Sequence, residues 1–299
     1  MISNEAKFVV MDKVSLPLNR VDILEYLRTV MTFLQDKQQR WLDFILTMTE
    51  KEIRVRYKNA LFGFLWIFLN PLLQMAVIGV VFQFFVPVKV ENYFLFLFSG
   101  LLPWNFFSLT ILKNTPMVLN ERELIKKAKF PRESIILSVV LSNLFHFLIA
   151  LTILILTLIG DKVLFEQFTL QQVAWYALRM FWVIPLVVVL SIFTSGFSML
   201  LATLNVWYRD VNFLIQAIMP LWFYATPVIF TLKLLPAYLH WIFYLNPLTI
   251  LVEMFHLVLL NLPITNPKFA LLGISIGLFF TAIGWWLFLS KSRTFDDWI

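Results

Sequence analysis

Long apolar runs with almost no charged residues recur along this chain, and they restrict its fold more than any other feature of the sequence. A hydrocarbon core of ~30 Å requires roughly 20 apolar residues in helical form. Such runs occupy residues 59–86, 93–112, 134–160, 173–204, 211–231 and 269–290. Within them, Arg179 is the one charged residue. The sequence therefore predicts an all-α integral membrane protein with about six transmembrane helices.

The overall composition agrees with a chain that faces lipid. Of the 299 residues, 60% are hydrophobic and 14% are charged, whereas soluble domains run near half apolar and about a quarter charged. The chain contains no cysteine. Disulfides, thiolate metal sites and cysteine nucleophiles are therefore excluded.

A further apolar stretch, about 234–262, lies between the fifth and sixth runs and is interrupted by polar residues and prolines. Pro236, Asn246-Pro247 and Pro263 punctuate it. One interpretation makes this stretch a seventh span. Because proline disfavours the helical conformation of the residue before it, we favour two short re-entrant helices before the last span. Non-helical backbone at that depth is tolerated where protein or water covers it.

The distribution of basic residues predicts the orientation in the membrane. With six spans, one side holds residues 1–58, 113–132, 205–210 and 291–299. These segments carry nineteen Lys and Arg residues, against four on the opposite side, at Lys89, Lys162, Lys233 and Lys268. Basic residues concentrate on the cytoplasmic side of membrane proteins. Both termini are therefore expected in the cytoplasm, and a seven-span arrangement fits slightly worse.

The segment 37–58 has the pattern of an N-terminal amphipathic interface helix. Its apolar positions recur at helical spacing, at Trp41, Phe44, Ile45 and Met48. The segment ends in Arg54, Arg56 and Lys58, just before the first span. Such a helix is expected to lie on the inner membrane surface with its basic end at the lipid headgroups. Residues 1–36 form a cytoplasmic extension in this division.

The sequence lacks the residues that several kinds of catalytic chemistry require. No Gly-Lys pair occurs, so the glycine-rich nucleotide loop is missing and the chain is not expected to hydrolyse ATP by itself. His146, His240 and His256 are scattered among apolar segments, without the clustered spacing of a zinc site. We therefore expect no metal and no cofactor in this chain.

Charged residues within the membrane are few. Arg179 and Glu253 are the main candidates, and intramembrane charges often mark ion or proton pathways. Arg179 lies near the outer end of its span and can reach the membrane surface. No series of carboxylates crosses the membrane. Structural pairing is thus favoured over a gating role for both residues, and a proton-coupled transporter is disfavoured.

Five local strings resemble the membrane subunits of type-2 ABC exporters and occur in the same order, over about residues 40–290. O-antigen and capsular polysaccharide exporters are most similar, and the teichoic acid exporter is next. The strings are Arg54–Leu72 with Gly63, Trp66 and Asn70-Pro71, then Phe98–Trp104, Leu124–Glu133, Tyr208–Asp210 with Tyr224–Ile229, and Asn246-Pro247.

The resemblance implies a half-transporter without catalytic residues of its own. Two copies would form the pore, and two copies of a separate ABC ATPase subunit would bind ATP and magnesium below it. The segment 117–127 would be the coupling helix that docks into the ATPase, with the interface helix as a second contact. The proposed coupling residues are Asn120, Glu121, Arg122, Glu123, Lys126 and Lys127. From composition alone, a solvated basic loop explains the same charges.

The transmembrane domain, 59–299, would contain the pore and an outer gate at 234–262. Asn70-Pro71 places a helix breaker in the first span, which either shapes the pore mouth or is a packing kink. Large aromatic faces offer sugars a lining without deep binding wells. The channel or gate candidates are Phe62, Trp66, Asn70, Phe106, Arg179, Trp207, Tyr208, Tyr224 and Glu253. For each aromatic residue taken singly, placement at the membrane interface or in the packing is favoured over a channel role.

The expected function is that of a permease subunit in an ATP-driven exporter of a lipid-linked polysaccharide across the inner membrane. Its expected partners are the ATPase, a second copy of the chain, the glycan substrate and the bilayer, with no nucleic acid. A drug or small-lipid exporter of the same superfamily is the main alternative. A membrane-embedded glycolipid-modifying enzyme is a second one, although no acidic cluster with metal-type spacing supports it.

Overall fold

A computed structural model describes residues 41–56, 58, 65–85, 92–128, 130–164 and 169–298, together with Gln39. The chain divides into two compact units, Met1–Phe44 and Ile45–Ile299. In the first unit, the described residues are residue 39 and residues 41–44, all helical. The predicted extension 1–36 and the channel candidate Phe62 lie outside the described residues.

All regular secondary structure in the described ranges is helical, as predicted. The α-helices are α1 (41–56), α2 (Trp66–Phe85), α3 (Tyr93–Asn114), α4 (Met117–Asn120), α5 (Arg122–Lys127), α6 (Glu133–Leu164), α7 (Leu170–Met180), α8 (Val183–Trp207), α9 (Asp210–Tyr224), α10 (His240–Tyr244), α11 (Pro247–Leu260) and α12 (Pro267–Lys291). Short 3₁₀ helices occur between α9 and α10, at Leu232–Leu234 and Ala237–Leu239, and after α12, at Ser292–Asp297.

Helix α3 is the centre of the larger unit. It packs against α2, α6, α8 and α11. Of the residues in its most apolar stretch, 78% are buried, against 28% in that of α12. Aromatic rings form much of this core: Phe107 stacks on Phe193 of α8 at 5.6 Å, and Trp104 meets Phe223 of α9 at 5.5 Å. Membrane spans are apolar all round whether they face lipid or protein, so the packing partners of α3 are what place it at the centre.

Helices α8 and α12 approach so closely that their backbones touch. The buried residues of α12 fall on one stripe, Ala270, Gly273, Gly277, Thr281, Gly284 and Phe288. A Cβ atom placed on Gly196 of α8 would lie 2.7 Å from the Cα atom of Thr281, and one placed on Gly284 would overlap the Gly196 carbonyl. Small residues permit such backbone approach in membranes. The contact depends on both glycines.

The predicted span 173–204 corresponds to one apolar segment long enough to cross a membrane, Gln171–Trp207, which has a local break between α7 and α8. Helix α7 ends at Met180 and α8 begins at Val183. Pro185 provides the physical reason, because it has no N–H to donate and its ring clashes with the carbonyl four residues earlier. The backbone N–H groups of Trp182 and Ile184 instead each donate to the carbonyl three residues earlier, at Arg179 and Phe181. Arg179 therefore lies in the last turn of α7.

The predicted span 211–231 is shorter than expected. Helix α9 ends at Tyr224 after 15 residues, which is ~22 Å at 1.5 Å per residue and less than a ~30 Å hydrocarbon core. Four helical segments of the described chain are long and apolar enough to cross, with a bent pair as a possible fifth. The predicted count of six exceeds what these residues provide by one or two.

The stretch predicted to be broken contains two helices bent at Asn246. The segments Ala237–Tyr244 and Pro247–Leu260 meet at 107°. The Asn246 side chain accepts a hydrogen bond from the Leu248 N–H at 3.1 Å and so caps α11, while Pro247 takes the first helical position, where its missing N–H costs nothing. Two short helices thus replace a continuous span, as the sequence predicts.

Candidate functional site: the coupling face and the membrane cavity

The predicted coupling segment comprises α4 and α5, which follow α3 directly. Their apolar side chains point inward: Met117, Val118 and Ile125 are each at most 5% exposed. They belong to a buried cluster made by the ends of three long helices, with Ile135, Ile136, Val139, Met199, Ala202, Val206, Phe288 and Phe295. The segment is therefore fixed to α6, α8 and the C-terminal helix region by apolar packing.

The polar side chains of the same segment face outward. Asn120, Arg122, Glu123, Lys126 and Lys127 are exposed. Lys127 and Glu123 form an ion pair at 2.9 Å one helical turn apart, the spacing that stabilises a short helix. Five of the six predicted coupling residues thus lie together on an accessible surface.

The sixth residue, Glu121, has an internal role. Its carboxylate pairs with Lys51 of α1 at 2.9 Å, so it connects the interface helix to the coupling segment. A second connection joins Glu52 to Lys113 at the end of α3. The Glu52 side chain is 6% exposed and that of Lys113 is 34% exposed. The interface helix is therefore held to the coupling region by two ion pairs of unequal burial.

We predict that breaking the Glu52–Lys113 ion pair destabilises the protein much more than breaking the exposed Glu123–Lys127 pair. Lys113→Leu leaves the buried Glu52 carboxylate without its cation and is expected to destabilise the protein by about 3 kcal/mol. Lys127→Leu breaks the exposed pair with Glu123 and is expected to cost less than about 1 kcal/mol. Thermal unfolding of both variants in detergent measures the difference. Equal losses would contradict the assigned burial, and adding Glu52→Leu to Lys113→Leu is expected to restore stability.

A cavity of about 330 Å³ lies between α2, α3 and α6. Three predicted channel residues line it, namely Trp66, Asn70 and Phe106. Phe106 is 3% exposed and stacks on Phe147 at 5.3 Å. Trp66 and Asn70 occupy the first turns of α2. The sequence-predicted residues of spans one and two therefore meet at one site.

The cavity has a polar side that the prediction did not include. Arg56, at the end of α1, donates a hydrogen bond to the Asn143 side-chain oxygen at 2.5 Å, and its second nitrogen lies 3.3 Å from His146 Nδ1. Asn143 in turn donates to Thr110 at 3.0 Å. This network joins the interface helix to α3 and α6 across the cavity wall.

Helical spacing within the apolar runs was a usable signal for these residues. Asn143 and His146 are three apart in α6, and Asn70 and Gln74 are four apart in α2. Residues at these spacings share one helix face. Polar residues that share a face inside an apolar run mark an interior or water-facing surface. Asn105 of α3 completes this wall by donating to Gln74 at 2.9 Å.

The remaining aromatic candidates do not reach this cavity. Tyr208 precedes α9 and Tyr224 ends it, and their side chains are 67% and 63% exposed. Trp207 packs against the cluster beside the coupling segment. Within one copy of the chain, the structure therefore places these three residues away from Trp66 and Phe106.

The two charged candidates form internal contacts near the bent pair. Arg179 lies over the Tyr176 ring at 4.8 Å and donates to the Leu259 carbonyl at 3.4 Å. Glu253 is 6% exposed. Its carboxylate accepts hydrogen bonds from the Tyr244 hydroxyl and from the Thr265 N–H at 3.2 Å. Both charges thus satisfy backbone and side-chain groups at the ends of α11.

Known proteins resemble the chain over most of its length. The O-antigen export system permease protein RfbA of Klebsiella pneumoniae is 30% identical over 256 residues, 85% of this chain and 94% of that protein. A second Klebsiella pneumoniae protein of that name is 32% identical over 207 residues, 69% of this chain and 76% of that protein. The Myxococcus xanthus protein of that name is 29% identical over 258 residues, 85% of this chain and 94% of its own length.

The helical segments described above fall largely within one conserved domain type. The ABC-2 type transporter profile matches residues 44–260, from α1 to the end of α11. That range includes the coupling segment, the cavity and the bent pair, and it covers well over half of the sequence. With its membrane-crossing helices and this match, the chain belongs to the ABC-2 type transporter family.

Proposed function

We propose that this chain is the permease subunit of an ATP-driven exporter that moves a lipid-linked polysaccharide, O-antigen or capsule-like, across the inner membrane. The observation that carries the proposal is similarity to O-antigen export permeases along 85% of the chain. The charged coupling surface anchored on a buried apolar base supports it from the structure.

ATP hydrolysis is assigned to a separate subunit, so the chain itself is not an enzyme. The sequence contains no Gly-Lys pair, and a glycine-rich nucleotide loop requires one. ATP and magnesium would therefore be bound by two ATPase copies, each docked below one permease. The excess of basic residues on one side, nineteen against four, supports cytoplasmic termini on the ATPase side.

The packing suggests how the ATPase would move the pore. Met117, Val118 and Ile125 insert into the ends of α6, α8 and the C-terminal helix region. A displacement of the coupling segment is then transmitted as rigid-body motion, because packed interfaces move as units. The ion pair between Glu121 and Lys51 would carry the interface helix along with it.

The pore would form between two copies of the chain. Tyr208 and Tyr224 present exposed rings near opposite ends of α9, where a second copy or a passing glycan can contact them. Amphipathic rings suit a sugar chain that must slide, since they offer apolar faces and polar tips. The bent pair at Asn246 would form the outer gate of this pathway.

The test is co-purification of the ATPase with tagged permease from native membranes. Arg122→Glu combined with Lys126→Glu reverses two exposed charges one turn apart on α5. This variant is expected to lose the ATPase and its activity from the eluate. Lys268→Glu, an exposed reversal in the first turn of α12, is predicted to face the opposite side and is expected to retain both.

Two results would contradict the proposal. Robust ATP hydrolysis by the purified chain alone would make it an enzyme. Absence of any ATPase from the wild-type eluate, in several mild detergents, would remove the half-transporter arrangement. In the second case the membrane-embedded enzyme would become the favoured alternative.

A further inference from the structure

The cavity between α2, α3 and α6 contains the side chain of Arg56, which forms no ion pair with a described acidic residue. Glu52, one turn earlier in α1, pairs with Lys113 instead. The Arg56 guanidinium contacts Asn143 and His146, and neither partner is acidic. None of the described residues that line the cavity is Asp or Glu. A half-buried charge without an opposite charge is costly unless a ligand compensates it.

Neighbouring cations on the same side are balanced differently. Lys51 pairs with Glu121, Arg54 with Glu50 and Lys113 with Glu52. Arg54 is two residues from Arg56 on the same helix, yet its side chain is 78% exposed and pairs with Glu50 one turn away. The contrast makes Arg56 the cation that is directed into the cavity.

The rest of the cavity suits an amphiphile with a polar head. The amide side chains of Asn70, Gln74 and Asn105 also line the cavity and offer hydrogen-bond donors. The remaining wall is apolar, with Leu102, Leu109, Phe147 and Ala150. Its volume of about 330 Å³ is within the range of small-molecule sites, which are mostly apolar with a few placed polar groups.

The cavity lies nearer the N-terminal end of α6 than its C-terminal end. Helix α6 has 32 residues, about 48 Å at 1.5 Å per residue, so it exceeds the hydrocarbon core by ~18 Å. Asn143 and His146 follow its first residue, Glu133, by about three turns. In the predicted orientation, where α6 begins on the cytoplasmic side, these residues lie in the inner half of the membrane. Arg56 reaches the same level from the interface helix.

We propose that Arg56, with Asn143 and the amides of Asn70, Gln74 and Asn105, binds the phosphate-bearing headgroup of a membrane amphiphile. A guanidinium recognises phosphate oxygens through directed, charge-assisted hydrogen bonds. This inference rests on the proposed function, and it identifies the ligand as the phosphorylated lipid carrier of the exported glycan. The site would hold the headgroup at the inner membrane surface while the hydrocarbon chain remains in the bilayer beside Leu109.

The experiment measures binding of dodecyl phosphate to the full chain purified in an uncharged maltoside detergent. Inorganic phosphate and dodecanol are the matched probes for the anion alone and the chain alone. Arg56→Gln is expected to raise the Kd for dodecyl phosphate by about tenfold or more. Arg54→Gln removes the same charge from the same helix and is expected to change the Kd less than about twofold. Arg56→Lys is expected to lie between wild type and Arg56→Gln.

A second variant keeps the test independent of the internal contacts of Arg56. Gln74→Leu removes an exposed amide that lines the cavity and is expected to weaken dodecyl phosphate binding. Because its hydrogen bond from Asn105 is exposed, the cost in stability is expected to be below about 1 kcal/mol. Unchanged binding in both Arg56→Gln and Gln74→Leu would overturn the proposal. Binding of dodecanol as tight as that of dodecyl phosphate would also overturn it, because the anion would then be unnecessary. Equally tight binding of inorganic phosphate would overturn it as well, because the hydrocarbon chain would then be unnecessary. None of these results touches ATPase co-purification, so the two proposals fail separately.

Discussion

Gly284→Leu is expected to abolish the close contact between α8 and α12 and to leave little monodisperse protein in detergent. Even a single Cβ atom at this position overlaps the carbonyl of Gly196. Because the obstacle is backbone, no side-chain rotation relieves it and the two helices must separate. Overpacking of this kind costs about 3 kcal/mol or more. Fluorescence-detected size-exclusion chromatography and thermal unfolding measure the loss.

Gly160→Ala is the matched control. A Cβ atom at Gly160 meets nothing within 4 Å, and the residue lies inside α6. The replacement is expected to leave stability unchanged or to raise it by up to about 1 kcal/mol through helix propensity. A Gly284→Leu protein as stable as Gly160→Ala would refute the backbone contact between the two helices.

Asn246→Ala is expected to disconnect α9 from the bent pair. The Asn246 oxygen accepts from Trp222 Nε1 at 3.0 Å and caps α11, while its nitrogen donates to Thr226 at 2.8 Å. Truncation removes the cap and leaves Trp222 without its acceptor. Loss of a cap costs about 1 kcal/mol, and an unsatisfied buried donor costs about 1–3 kcal/mol more. Thermal unfolding in detergent is the measurement.

Asn266→Ala provides a control with the same local sequence. Asn266 also precedes a proline at the start of a helix, but its side chain makes no capping hydrogen bond. The replacement is expected to change stability by less than about 0.5 kcal/mol. Asn246→Asp keeps the acceptor oxygens and is expected to retain part of the lost stability. Identical effects of Asn246→Ala and Asn266→Ala would show that the tertiary contacts of Asn246 contribute nothing.

The Asn-Pro pairs show how far sequence reasoning extends. Asn246-Pro247 predicts the end of a continuous helix, and a new helix does begin at Pro247. Pro71 of the Asn70-Pro71 pair instead lies inside α2, so the same dipeptide does not always interrupt a helix. Only the structure shows that Asn246 has Trp222 beside it. Local rules encode capping and helix breaks, whereas partners brought together by the fold have no fixed spacing in sequence.

The same division applies to the candidate site. Alternation of apolar and charged residues made the outward face of α5 predictable, and the exposed charges of Arg122 and Lys126 follow that pattern. The sequence did not predict the pairing of Glu52 with Lys113 or the burial of Glu253, because both depend on segments far apart in the chain. The break before α8 had a local signal in Pro185 that the apolar pattern obscured.

The contact between Gly196 and Gly284 also has a consequence for biosynthesis. Helix α8 emerges from the ribosome well before α12, so its glycine face must wait in the bilayer for the last helix. Phe288 and Phe295 are likewise needed to complete the cluster under Met117. Domains synthesised from the N-terminus pass through incomplete states with unsatisfied surfaces. The buried base of the proposed coupling surface is therefore complete only after α12 and the turn that follows it have been synthesised.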